Sequence, residues 1–149
     1  MLFSIHFLVN IILIIIQIWI NQFVDGLYKS KKCNKCSFKK GWQINQVRIL
    51  SALLILATLL NIIFPIFKLL NAIPLISSIA IFIYLGILIY EFIMMKRIGN
   101  EFKSKNNECY KCRQMMTNMD IWLSDYWADQ NIGSCIGYAF IITIIQFYF

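Results

Sequence analysis

The chain has 149 residues, 60% of them hydrophobic and only 14% charged, with a net charge of +7. A water-soluble domain of that length normally carries more charge and less apolar surface. The stretches 2–24, 49–67, 75–90 and 130–149 contain no Lys, Arg, Asp or Glu, which leaves no room for a large soluble domain.

A helix needs roughly 20 apolar residues to cross about 30 Å of hydrocarbon, and four segments meet that requirement: about 2–24, 48–67, 74–95 and 131–149. The first reads as a membrane span and not as a signal peptide. Its apolar run is too long, it lacks a basic start, and no small-residue cleavage site follows. Within it His6, Asn10, Gln17 and Asn21 fall on one stripe of a helix. The loop that follows holds "KKCNKCSF" (31–38) and seven basic residues, Lys29 to Arg48. The second span places Ser51 and Thr58 seven apart, and the third places Ser77, Tyr84 and Glu91 at the same interval. Between these two spans lies the short turn "FKLLNAIP" with Lys68. In lipid such polar groups turn toward neighbouring helices and hydrogen-bond there, so a polar seam inside a helical bundle is expected. Glu91 lies about a turn from the basic face and is expected to pair with Lys96 or another loop cation.

After the third span comes a second basic loop with "NECYKCRQ" (107–114), then "RQMMTNMDIWLSDYWADQ" (113–130). On a helical wheel Met115, Met116, Met119, Trp122, Leu123, Tyr126 and Trp127 share one face, and Asp120, Ser124, Asp125 and Asp129 lie opposite. That pattern predicts a helix lying in the membrane interface, anchored by its Trp residues, with an acidic face free to pair with the basic first loop or a basic partner. The fourth span opens with "GSCIG", whose Gly133 and Gly137 predict a close helix contact. Cys135 reads as a small packing residue.

Thirteen of the fourteen basic residues sit in the two cysteine loops; the other is Lys68. With four spans, both loops fall on one membrane face and both termini on the other. The positive-inside rule assigns the loops to the cytosol or its equivalent. This topology accounts for the basic excess, so no nucleic-acid partner is expected.

"LYKSKKCNKCS" (27–37) and "FKSKNNECYKCR" (102–113) share an aromatic residue, Lys-Ser-Lys and Cys-x-Lys-Cys in the same order, about 76 residues apart. The expected fold is therefore an all-α, four-span transmembrane bundle built from two span–CxxC loop–span repeats, 1–72 and 73–149, with the interfacial helix added. Repeats of this kind are often related by an axis along the membrane normal. The two halves form one membrane domain.

Cys33, Cys36, Cys109 and Cys112 have the hook spacing of a Cys₄ zinc site. The flanking lysines lower thiol pKa values and offset the charge of a zinc tetrathiolate. Zinc held by these four cysteines is the first expectation. Disulfides within or between the loops are the alternative, disfavoured on a cytosolic face, and free thiols are the third. Four spans with cysteine pairs in the first and third loops also resemble the membrane oxidoreductases that pass electrons from thiols to a quinone. In that family, however, the pairs face the oxidising side. There is no Gly-rich phosphate loop and no Ser/His/Asp set, so neither an enzyme nor a small-molecule substrate is expected. A proton or ion path along the seam is a sharper reading of His6 and Glu91.

Leu27, Tyr28, Cys33, Cys36, Ser37, Trp42 and Arg48 resemble a pattern in small multi-span membrane proteins of large double-stranded DNA viruses. There a Tyr-x-x-Leu-x-x-x-Cys-x-Cys-Ser segment, then Trp and a basic residue, precedes a span. This chain departs in having two residues between its cysteines. Its Ile-rich, Lys-over-Arg composition, read as the codon bias of an AT-rich genome, suits such a source. The resemblance implies a virion structural protein, a minor capsid protein of the internal membrane beneath an icosahedral shell. Such viruses often encode a thiol oxidase, which would favour disulfides. The expected partners are the lipid bilayer and a capsid protein or a neighbouring membrane-complex protein. An accessory subunit of an organellar membrane complex is the other non-enzymatic reading.

Overall fold

In a computed structural model, residues 2–34, 36, 43–103 and 109–148 are described. Ser37, Trp42, Lys35, Lys39, Lys40 and Lys105 lie outside the described residues. The described chain is helical throughout: α1 Leu2–Lys29, a 3-10 turn Lys31–Cys33, α2 Gln43–Ile63, α3 Ile66–Leu70, α4 Pro74–Lys103, α5 Tyr110–Gln114, α6 Asn118–Asp129 and α7 Ile132–Tyr148.

Prolines and caps set these boundaries. Pro65 follows α2 and precedes α3, where a helix interior would lose a backbone donor. Pro74 opens α4, the position where its missing N–H costs nothing. The expected interfacial helix is broken in two because Thr117 caps α6, its side chain accepting from the Asp120 N–H at 3.2 Å. Asn131 does the same for α7, accepting from the Ser134 N–H at 2.6 Å. α4 runs eight residues past the expected end of the third span, at about 1.5 Å per residue. A helix satisfies its own backbone groups, so it continues after the side chains turn polar.

Among the described residues, three helices are long and apolar enough to cross a membrane: Ile5–Lys29, Ile44–Ile63 and Pro74–Lys103. These apolar helices are consistent with a multi-pass membrane protein. The fourth expected span corresponds to α7, only 17 residues long. It bends by 104° from α6, and the two together are a broken candidate span. Outward-facing apolar side chains such as Ile15, Ile63, Leu75 and Phe82 are exposed on the flanks of these helices. Water would penalise such a surface and lipid does not.

α1 packs along α2, while α4 packs along α6 and α7. Two apolar clusters fill the interior. One, toward the cysteine loops, includes Ile20, Val24, Leu27, Val47, Ile98 and Phe102. The other, toward the α3 turn, includes Leu54, Phe67, Tyr84, Leu88, Ala139 and Phe147. Phe67, Tyr84 and Phe147 form an aromatic trio there, with centroids 4.7–5.7 Å apart.

The close helix contact is not at Gly133 and Gly137. Gly133 is exposed, and a Cβ on Gly137 would meet nothing within 4 Å. The buried side of α7 is instead the Cys135–Ala139–Thr143 stripe. Closest approach falls at Gly99 of α4, where a Cβ would stand 2.2 Å from the Ser124 backbone oxygen and 2.9 Å from the Ala128 Cβ. Small residues permit contact, but only the face turned inward uses them.

Candidate functional site

Each cysteine hook is one tight turn. The Cys36 N–H donates to the Cys33 carbonyl at 3.0 Å, and the Cys112 N–H donates to the Cys109 carbonyl at 3.0 Å. A turn of this shape points both sulfurs of a hook the same way, and the two hooks face each other. Cys33 pairs with Cys112 and Cys36 with Cys109, with S–S distances of 1.98 and 1.90 Å and Cα separations of 4.8 and 4.7 Å. All four predicted cysteines thus come together, at disulfide distance, between loops 79 and 73 residues apart in sequence. The first cysteine of each hook meets the second of the other. All four are fully buried, packed over Leu27, Ile44, Val47, Ile98 and Phe102.

The sulfurs of Cys36, Cys109 and Cys112 lie within 4.8 Å of one another, close enough to share a soft metal if they were thiolates. A zinc tetrathiolate holds four separate sulfurs about 3.8 Å apart around the ion, at Zn–S bonds of ~2.3 Å. Sulfurs at bonding distance are not thiolates, so the geometry favours the disulfide alternative over the zinc site.

Charged side chains ring the staple. Arg48 meets Asp25 at 2.9 Å and lies 4.3 Å over the Tyr28 ring, while Lys29 reaches the same Asp25 at 3.1 Å. Arg113 makes two contacts to Asp125, at 3.2 and 3.3 Å, and donates to the Phe102 carbonyl at the end of α4 at 3.2 Å. Lys103 pairs with Asp129. Lys96 donates to the Ala128 carbonyl at 3.0 Å. Among the described residues, the acidic side of α6 pairs with cations of the second loop and of α4. It packs inward, through Ser124 and Ala128, while Met119 and Trp122 face outward. Asp120 also accepts from the Trp19 indole N–H at 3.0 Å, tying α6 to α1. Lys31 and Lys111 stay exposed beside the hooks.

The predicted seam is inside the bundle. His6, Asn10, Gln17, Ser51, Thr58, Ser77, Tyr84 and Glu91 are all buried. Asn21 donates to Ser51 Oγ at 2.9 Å and to the Arg48 carbonyl at 3.1 Å. Glu91 does not pair with Lys96. Five residues along a helix turn about 140° around its axis, so Lys96 points to α6 and Glu91 to α1, beside Gln17.

Sequence reasoning missed the hub at the other end. Asn61 donates to Gln146 Oε1 at 2.8 Å and Gln146 donates to Asn10 Oδ1 at 3.0 Å, joining α1, α2 and α7. Asn10 in turn contacts His6 Nδ1 at 3.2 Å. The only signal was an amide inside the apolar run of each of two helices, 85 residues apart, with nothing to say that they meet. No protein-family model, no curated protein and no solved structure matches the chain.

Proposed function

We propose that the protein is a structural membrane component whose two stapled loops form a docking platform on one face of the bundle. The observation that carries this reading is the double cross-link between loops of the two halves, with all four sulfurs buried. Thiol exchange needs an accessible sulfur, and burial supports a staple over a redox centre. A loop pair fixed in shape docks a partner without first having to be ordered, which lowers the entropic cost of binding. Exposed Lys31 and Lys111 flank the staple, and the chain as a whole carries +7. The partner proposed is therefore a protein surface with acidic groups.

The pairing of first with second cysteine is what a two-fold axis between the hooks would produce, and it supports the two-repeat, four-span reading. The resemblance to virion membrane proteins supplies a concrete partner, the capsid shell above an internal membrane. It also supplies a source of oxidant on the face that the basic loops assign to the cytosol.

The test uses the native assembly. Cys33→Ser with Cys36→Ser removes both cross-links and leaves the spans unchanged. The double variant is expected to resist alkaline extraction from membranes, as the parent does, yet to be lost from the assembled particle or complex. Full retention in that assembly would refute the platform. In sealed vesicles, an impermeant amine reagent applied from the loop side is expected to modify Lys31 and Lys111 and to spare Lys68.

A further inference from the structure

At mid-depth in the bundle, Glu91 of α4 is fully buried and Gln17 of α1 nearly so. Among the described residues neither Glu91 oxygen has a hydrogen-bond partner, and the Gln17 Oε1 has none. The Gln17 side chain lies against the Glu91 carboxyl, and among the described residues no cation pairs with that carboxyl. Buried polar groups in proteins are almost always satisfied, and an ionisable group at this depth marks a functional site. Gln17 stands between Glu91 and a void. Gln17 lines a cavity of about 210 Å³ whose walls are otherwise apolar and aromatic, including Leu13, Phe92, Trp127, Tyr138 and Ile142. Phe92 and Trp127 stack there with centroids 4.9 Å apart. Ile16, Tyr126 and Trp127 also border a second apolar groove of about 360 Å³, which reaches Ile15 on the lipid-facing side of α1.

We infer that Glu91 and Gln17 form a binding site for a lipophilic primary amine, which enters from the bilayer through the groove. A primary ammonium brings three N–H donors and a charge opposite to that of a carboxylate. The aromatic walls suit a cation beside them, and the apolar body of the ligand fills the cavity and groove. An alcohol offers one donor and no charge. A carboxylate would repel Glu91.

The experiment uses the full, disulfide-bonded chain in detergent micelles, with dodecylamine as the probe and dodecanol as the control. Saturable quenching of tryptophan fluorescence by dodecylamine brominated along its chain reports entry, since Trp127 borders both spaces. Dodecylamine is expected to raise the melting temperature and to quench saturably, and dodecanol to bind roughly tenfold more weakly or less. Glu91→Gln is expected to abolish that preference while leaving weak dodecanol binding. If Glu91→Gln does not fold, Ile142→Trp, which fills the cavity from α7, is expected to remove binding of both probes. Equal binding of amine and alcohol to the parent chain would overturn the site. So would an amine preference that survives Glu91→Gln, or amine binding unchanged by Ile142→Trp.

Discussion

At the loop end of the bundle, the chain after α1 is tied to the region of α5 through Cys33–Cys112 and Cys36–Cys109. At the opposite end α1, α2 and α7 meet through the amides of Asn10, Asn61 and Gln146. The second lock is made of bonds worth only about 0.6–2 kcal/mol each within a membrane. It suffices because the helices it joins are already confined side by side. The cysteine loops carry like charges that push them apart. A covalent lock is found where that repulsion opposes contact. The two ends also differ in what undoes them: a reductant acts on one and is without effect on the other.

The largest expected effect comes from breaking the covalent end. A single disulfide closing a loop of this length stabilises by up to about 4 kcal/mol through the unfolded chain. Spans that stay inserted are already restricted, so the measured loss on Cys33→Ser with Cys36→Ser should fall below that. The second bridge closes only a small ring and adds less. Peptide mapping without reduction is expected to recover Cys33 linked to Cys112 and Cys36 linked to Cys109. Recovery of Cys33 linked to Cys36 would mean two independent hooks and no staple. Zinc at stoichiometric level in metal analysis, with five free thiols after unfolding, Cys135 among them, would restore the metal reading.

Next in size is the contact at Gly99, which lies toward the loop end but is part of neither lock. Gly99→Ala places a Cβ against the Ser124 backbone oxygen, an atom that cannot rotate away. Overpacking of this kind costs about 1–3 kcal/mol. α6 is expected to lift from α4 and become sensitive to protease in its 118–129 segment, with both disulfides still formed. Gly137→Ala, where a Cβ meets nothing, is expected to be silent.

The amide end is expected to respond less. Asn61→Leu removes the donor to Gln146 and leaves Gln146 Oε1 without it, at a cost of about 1–2 kcal/mol. Thermal unfolding of the variant should be displaced by the same amount in the presence and absence of reductant. A displacement that depended on reductant would show the two ends to be coupled, and the contrast between them would fail.

What the sequence made legible follows from which signals are local. Periodicity placed the polar stripe of α1 and the 7-residue series of α2 and α4 on inward faces, because helix geometry alone fixes who shares a face. Spacing brought the four cysteines to one point, because two Cys-x-x-Cys hooks are the pattern of one shared centre. The oxidation state of those sulfurs was not legible. It depends on the redox potential around the loops, which basic residues do not report. Gly99 was missed for a different reason. "GSCIG" has the small-xxx-small pattern, but pattern does not say which side of α7 faces a neighbour, and Gly99 has no patterned partner on its own helix. Lys96 was assigned to Glu91 from nearness in sequence, and the 140° between them decided otherwise.

The smallest expected effect separates two arginines that the positive-inside rule treats alike. Arg48 and Arg113 each meet one carboxylate, and both pairs are about a quarter to a third exposed. Exposed ion pairs contribute at most about 1 kcal/mol and fade with salt. Arg113 differs in its second duty: its fork also donates to the Phe102 carbonyl, at the end of α4, where a helix leaves acceptors unsatisfied. Lysine keeps the charge but cannot hold two Asp125 contacts and a backbone oxygen in one plane. Arg113→Lys is therefore expected to cost about 1 kcal/mol, most of it surviving at high salt because a helix-end hydrogen bond is lost. Arg48→Lys loses a contact to Asp25 that Lys29 already shares, along with its place over Tyr28. Its effect is expected to stay within about 0.5 kcal/mol and to shrink as salt rises. Thermal unfolding at two salt concentrations reads the difference. Equal, salt-sensitive losses would mean that the contact to the end of α4 contributes nothing, and that the second loop is held in place by its disulfides alone.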